Sequence, residues 1–347
     1  MTTAKQEAER EYQQAQVALD RVAKEADRAL FTLATSSNDA PVHPIPPPPW
    51  NGIITSMPDD VLLPSLPSSD RIKDLGNRLE THNYVILDGF LGEDPSFNLR
   101  RDVEALYRAS RAHEDGDLPS PPQKEDTLSP PAFAAMDTAR FRLGELAGGK
   151  TGRNLRYQMA HVRGDYVLWL DEQDAWCPSS VRLVLRQLDR LILERLSQMN
   201  HELLMSALLR KKAMVTCYPG ENQARYTRHC DNPNSNGRKL TAILYLNPDY
   251  ESSQGGQLRL ELNGDNGVVD IEPRMDRLVL FYSDRRVPHQ VLPCHSRDRF
   301  ALTLWYLDYD EFFNAQVFGA SGQDETQEHT RIEKEMKGFE AAKDAPS

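Results

Sequence analysis

Cysteine is scarce in this chain of 347 residues. Its four cysteines, Cys177, Cys217, Cys230 and Cys294, are scattered and none stands in a Cys-x-x-Cys pair. That spacing argues against a zinc finger or a disulfide framework and fits a reducing compartment, so cytosol or nucleus is the expected location. Long apolar runs are missing too, so no membrane-spanning helix is expected. The first residues, Met1 to Glu7, are polar and charged with no apolar core, unlike a secretory signal. There is no Lys/Arg-rich block, and 52 acidic against 41 basic residues give a net charge of −11. Such a chain is poorly suited to neutralising nucleic-acid phosphates. No phosphate loop is expected either: Gly149-Lys150-Thr151 resembles the end of one, but no apolar strand leads into it.

What is present falls into three parts. Residues 3–34 are rich in Ala, Glu, Gln, Lys and Arg, with Val17, Leu19, Val22, Ala26, Leu30 and Leu33 near helical period. They predict one long amphipathic helix. Ala40 to Pro49 is a stiff polyproline linker, which puts a boundary near residue 50. The expected organisation is 1–50 helix and linker, 51–315 a single larger domain, and 316–347 a charged tail, helical over Glu325–Lys343. Within the domain, helices are expected at Ser68–Asn83 (N-cap Ser69 or Asp70), 96–112, 132–146 and 178–210, the last with a second short helix after Asn200. Strands are expected at Asn83–Asp88 and Tyr166–Leu170. Residues 113–131, rich in Asp, Gly, Ser, Glu and Pro, predict a mobile loop.

From Lys212 the pattern changes to short β-prone runs divided by turn residues. Strands are expected at 213–219, 225–231, 239–246, 257–262, 268–272, 277–282, 288–293 and 299–307, which indicates a double-sheet antiparallel fold, a jelly roll over about 212–309 with supporting helices.

His229 and Asp231 stand two apart in Arg225-Tyr-Thr-Arg-His-Cys-Asp231. On a strand they share a face, and an imidazole beside a carboxylate is two-thirds of a 2-His-1-carboxylate iron site. For the third ligand His289 and His295 compete. His289 opens a strand whereas His295 sits in a polar turn, and a ligand needs rigid backbone, so His289 is preferred. Ten residues on, Arg299 shares a strand face with Ala301, Thr303 and Trp305. An inward guanidinium needs an anionic partner, either a protein carboxylate or the far carboxylate of a dicarboxylic cosubstrate.

The order His229-x-Asp231, His289, Arg299 resembles that of 2-oxoglutarate- and Fe(II)-dependent dioxygenases. Several strings narrow the resemblance: Cys217-Tyr-Pro-Gly220, Tyr226-Thr-Arg-His-Cys-Asp-Asn-Pro-Asn234, Tyr245-Leu-Asn247, Gly255-Gly256, Ser283-Asp-Arg-Arg286, Trp305-Tyr306, Arg163-Gly-Asp165 before Trp169, and Asn83 to Gly92. Together, over roughly residues 70–312, they resemble the prolyl 4-hydroxylases that act on hypoxia-inducible factor, and equally the protist relatives that act on a Skp-type ubiquitin-ligase adaptor. The resemblance implies Fe(II) held by His229, Asp231 and His289, and 2-oxoglutarate paired with Arg299 and Tyr245. It also implies a pocket walled by Tyr218, Thr241, Ile243, Leu258 and Trp305, and Asp165 and Tyr226 at the substrate-covering segment. Ascorbate as reductant, a part in the hypoxia response and a lid over about His113–Val162 are implied in the same way. One extra residue between Tyr218 and His229, and one between His289 and Arg299, depart from the pattern, each in a turn. Two alternatives stay open: a same-fold oxygenase with another target, or a non-catalytic metal-binding β-sandwich.

Overall fold

The structure, a computed structural model, describes residues 63–114, 140–148, 155–174, 177–262 and 267–318. The expected N-terminal helix, the polyproline linker, the C-terminal charged helix and most of the expected lid lie outside those residues.

In chain order the elements are α1 (Ser69–His82), β1 (Tyr84–Asp88), α2 (Glu93–Glu114), β2 (Arg142–Leu143), β3 (Leu146–Gly148), β4 (Leu155–Tyr157), β5 (Tyr166–Leu170) and α3 (Ser179–Leu191). Helix α3 runs on through a π-helical turn, Ile192–Leu196, and a last turn, Ser197–Met199. Then come α4 (His201–Leu204), β6 (Leu208–Arg210), β7 (Ala213–Tyr218), β8 (Tyr226–His229), β9 (Arg238–Tyr245), β10 (Leu258–Glu261), β11 (Val268–Ile271), β12 (Arg277–Tyr282), β13 (His289–Val291), β14 (Arg299–Asp308) and α5 (Tyr309–Phe318).

An eight-stranded sheet of order β1-β12-β9-β14-β7-β5-β2, with β6 extending from β14, faces a four-stranded sheet of order β11-β10-β13-β8. This is the expected jelly roll, helices flanking one side. Alternation along β14 explains the layering. Phe300, Leu302, Leu304 and Tyr306 point into the core shared with the helices, while Ala301 joins Ile243, Tyr245, Leu258, Leu260, Val279 and Phe281 between the two sheets. Helix α3 covers the large sheet because Val181, Val184, Leu188, Leu191 and Ile192 recur at helical period and are wholly buried. Arg299, Tyr245 and Ile243 therefore stand on the inner face of a sheet whose outer face is sealed.

Three expectations are corrected. The cap of α1 is Ser68, whose hydroxyl accepts from the Arg71 amide, one residue before the expected Ser69 or Asp70. Residues 142–143 and 146–148 are short strands, not the end of a helix. Arg142 and Leu143 pair with Val167 and Tyr166, and Leu146 to Gly148 pair with β4, so tertiary pairing overrides the helical preference of Leu, Ala, Arg and Glu. Leu208 to Arg210 likewise leave the helical pattern and pair with Tyr306 to Asp308 of β14.

Candidate active site

The small sheet brings the two histidines together. His289 of β13 stands directly opposite His229 of β8 in the antiparallel register, although the two are far apart in sequence. Asp231 follows β8 by two residues and reaches the same point. Among the described residues, His229, Asp231 and His289 form the group whose ligand atoms all lie within 4.8 Å of one another. His229 Nε2 is 3.9 Å from Asp231 Oδ1, and His289 Nε2 is 3.8 Å from Asp231 Oδ2.

Both rings are oriented in the same way. His229 Nδ1 lies 2.8 Å from the Thr227 carbonyl, and His289 Nδ1 lies 3.0 Å from the Val287 carbonyl. A carbonyl can only accept, so each Nδ1 carries a proton and each Nε2 is the nitrogen turned to the cluster. Burial, then the nearby His289, lowers the His229 pKa to about 3, so the ring is neutral. Burial pushes the Asp231 carboxyl up, but the neighbouring His289, His229 and Arg238, with the Thr241 hydrogen bond, outweigh it and hold the group at about 2, ionised. Thr241 donates to Asp231 Oδ2 at 2.7 Å and meets Ser283 Oγ at 2.8 Å, both hydroxyls fully buried. Two imidazoles and one anchored carboxylate are a donor set that suits a divalent first-row metal, and three protein donors leave further coordination positions for other ligands.

Arg299 opens β14 opposite Tyr218 and is 5% exposed. Its Nε donates to the Gly256 carbonyl at 2.7 Å, and its guanidinium lies 4.9 Å from the ring centres of both Tyr218 and Tyr245. Among the described residues no carboxylate lies within ion-pair distance of it. The Tyr245 hydroxyl is buried without a hydrogen-bond partner. A buried cation beside an orphaned phenol, on the strand face that leads to the metal ligands, fits a dicarboxylic acid bound by its far carboxylate. Ile243 and Leu258 stand in the apolar layer with Tyr245, and Trp305 stands further along β14, its indole N–H also unpartnered.

Asp165 and Tyr226 occupy the other end. Asp165 is wholly buried in a two-point ion pair with Arg163, at 2.8 and 3.0 Å. Arg163 lies over the Tyr226 ring, and Tyr226 stacks on His229 with ring centres 3.7 Å apart. Asp165 thus acts on the metal end only through Arg163 and Tyr226.

Sequence reasoning notes Gly237-Arg238 as a string shared with the resembled family but gives no role to Arg238, Gly144 or Arg163. Arg238 donates to the Asp231 carbonyl and covers the Trp305 ring at 4.1 Å. Counting by twos from Leu240 sends Arg238 to the helix side. The register instead slips between Tyr306 and Leu307, which pair with Leu240 and Arg238, and this bulge turns Arg238 inward. Gly144 donates its amide to the Asp165 carbonyl, and an added Cβ would come within 2.6 Å of the Asp165 carboxylate.

Comparison with known proteins follows the same outline. The profile of the 2OG-Fe(II) oxygenase superfamily matches residues 213–307. The chain is 32% identical to Egl nine homolog 1 of Rattus norvegicus over 246 residues, 71% of this chain and 61% of that protein. It is 41% identical to prolyl hydroxylase EGLN3 of Homo sapiens over 175 residues, 50% of this chain and 69% of that protein. A solved Trichoplax adhaerens prolyl hydroxylase, in complex with a hypoxia-inducible-factor oxygen-degradation-domain peptide, superposes with a TM-score of 0.53 at 33% identity. That match covers 71% of this chain and 93% of the other. The chain spans 61%, 52% and 48% of the length of the rat, mouse and human Egl nine homologs.

Proposed function

Because the chain belongs to the 2OG-Fe(II) oxygenase superfamily, and within it to the prolyl hydroxylases of the hypoxia-inducible-factor type, we propose that it hydroxylates C4 of a proline in a protein substrate. The observation that carries the reading is a buried arginine with no carboxylate partner among the described residues, 5% exposed, on the inner face of the sheet opposite the one that carries the two histidines of a His-Asp-His cluster.

Bound Fe(II) and 2-oxoglutarate supply the oxidising chemistry, in which dioxygen is consumed, succinate and carbon dioxide are released, and one oxygen atom is added to the proline. The chain supplies placement. His229 and His289 offer Nε2 lone pairs fixed by backbone carbonyls, and Asp231 is held by Thr241 so that its charge stays at the cluster. Arg299 pairs with the far carboxylate of 2-oxoglutarate and Tyr245 donates its free hydroxyl to it. Ile243, Leu258 and Phe281 exclude water from that end, which strengthens the ion pair. Tyr218 and Trp305 wall the space beside the metal where a proline ring fits, and the Asp165–Arg163–Tyr226 stack holds the His229 ring from outside.

The substrate class we infer is a proline-bearing protein segment, resembling hypoxia-inducible factor or a ubiquitin-ligase adaptor. A cavity of about 640 Å³ lined by Arg238, Lys239, Asp284, Arg285 and Glu311 adjoins Arg238. Ascorbate as the reductant, action in cytosol or nucleus, and a part in the hypoxia response complete the proposal.

The test is incubation with Fe(II), 2-oxoglutarate and proline-containing peptides of both substrate types, read by mass spectrometry and succinate release. One added oxygen located on proline supports the reading. Succinate release with the oxygen on another residue would assign a different target. No succinate from wild-type protein under any of these conditions rejects an oxygenase.

A further inference from the structure

The segment Gly255-Gly256 stands outside the metal cluster and outside the pocket wall, yet its backbone is fixed on both sides. The Tyr250 hydroxyl donates to the Gly255 carbonyl at 2.9 Å, and the Gly256 amide donates to the Pro293 carbonyl at 3.0 Å. Gly255 forms an antiparallel bridge with Cys294. Held in this way, the Gly256 carbonyl faces inward and accepts from Arg299 Nε. Gly256 has φ +72, and a Cβ there would stand 2.7 Å from Cys294 Sγ and 2.8 Å from Arg299 Cδ. Any side chain would strike the stem of the arginine whose head its own carbonyl holds.

We propose that Gly256 is a positioning residue for 2-oxoglutarate: its carbonyl fixes the Arg299 fork, and its missing side chain leaves room for the arginine stem. The inference rests on the assignment of Arg299 to the far carboxylate of 2-oxoglutarate. Arg299 has five N–H donors in one plane. Using Nε on a backbone carbonyl sets the rotation of that plane and leaves the terminal nitrogens for a carboxylate in two-point geometry. Neither neighbouring tyrosine ring could set that rotation, since a ring face attracts a cation without directing its hydrogens.

The alternative role for Gly256 is purely conformational, because its positive φ favours glycine whatever lies nearby. Gly92 separates the two roles. It has φ +88 and an added Cβ would meet nothing within 4 Å, so Gly92→Ala carries the backbone cost alone.

The experiment measures binding by calorimetry on the full chain loaded with Mn(II), which needs no turnover. The ligands are 2-oxoglutarate and 2-oxobutyrate, a 2-oxo acid with no second carboxylate. For Gly256→Ala we expect 2-oxoglutarate Kd to rise about tenfold, the loss of one hydrogen bond's worth of alignment at a charged group. Mn(II) affinity and 2-oxobutyrate Kd should match wild type, and the melting temperature should fall no further than in Gly92→Ala by more than a few degrees. If Gly256→Ala does not fold, the pair Gly256→Ala with Cys294→Ala removes the sulfur that the methyl would strike and keeps the clash with Arg299, with Cys294→Ala as its reference. An unchanged 2-oxoglutarate Kd in a folded variant, or equal losses for both acids, overturns the proposal. Failure of the wild-type protein to prefer 2-oxoglutarate over 2-oxobutyrate would instead overturn the assignment of Arg299.

Discussion

The two ends of the space between the sheets treat a buried arginine in opposite ways. At the mouth, Arg163 is closed on itself: its side chain is 11% exposed and both of its carboxylate bonds go to Asp165. At the inner end, Arg299 is as deeply buried, yet its hydrogen bond goes to a backbone carbonyl and no carboxylate reaches it among the described residues. Burying an unpaired guanidinium is costly. The fold tolerates that cost at one end and neutralises it at the other. A satisfied arginine stiffens structure, whereas an unsatisfied one is a place kept for a ligand, and a ligand's carboxylate is what completes it.

The largest effect expected is at the metal cluster. His229→Ala should abolish succinate formation and metal retention together, because a facial site with one imidazole and one carboxylate no longer holds the ion. Metal analysis of the purified variant checks this. Wild-type metal content would show that the cluster is not the binding site.

The two arginines can then be set against each other. Arg163→Met strands a buried carboxylate and should destabilise the ligand-free protein by about 3–5 kcal/mol. Arg299→Met removes an uncompensated buried charge and should leave stability within about 1 kcal/mol of wild type, or raise it. The same variant should weaken 2-oxoglutarate roughly a hundredfold, the cost of truncating one side of a buried charge pair. Denaturant unfolding and calorimetry give the two readings. Equal destabilisation by both substitutions would erase the distinction between the two ends.

Much of this contrast could be read from residues alone, and the parts that could not share a cause. Strand alternation places Arg299 with Ala301 without any structure, because period two is a local property, and the His-x-Asp spacing pairs His229 with Asp231 although β8 ends at His229, short of the expected strand 225–231. The jelly-roll strands are legible for the same reason, most of the apolar runs ending at Gly, Asn-Pro or Ser-Asp. Arg238 was not, because the slip of register opposite Leu307 reverses its parity, and a bulge is decided by the partner strand. The short strands at Arg142 and Leu208 were read as helix because their partners, β5 and β14, supply the stabilisation that their own residues do not. Asp165 was legible as a motif residue, but its bond to Arg163 joins two side chains on an irregular segment where no period applies.

A smaller effect sharpens the metal end. Thr241 donates to Asp231 Oδ2 and in turn accepts from the Ser283 hydroxyl. Thr241→Val keeps the shape and deletes the donor, and should lower metal affinity about tenfold, the lower range for a group that orients a ligand. Titration against a chelator reads it. Ser283→Ala should do less, since Asp231 keeps its direct donor.

The smallest effect lies outside both ends, where a third arginine makes the comparison quantitative in pH. Arg286 forms two bonds to Glu202, each 2.8 Å, and Lys239 adds another at 2.8 Å, tying the turn after β12 to α4. Burial pushes the Glu202 carboxyl up, but its hydrogen bonds to Arg286 and Lys239 outweigh that and lower it to about 2, against 4.5 for a free side chain. The folded pKa lies below the unfolded one, so the unfolded chain takes up the proton first on acidification. The stabilisation is complete above about pH 4.5 and is lost as the pH falls towards 2. Glu202→Gln should therefore lower the melting temperature by only about 1–2 °C near neutrality, because the group is a third exposed and screened. Variant and wild type should converge between pH 4.5 and 2, and a gap that widens on acidification would mean that Glu202 is held protonated and not ion-paired.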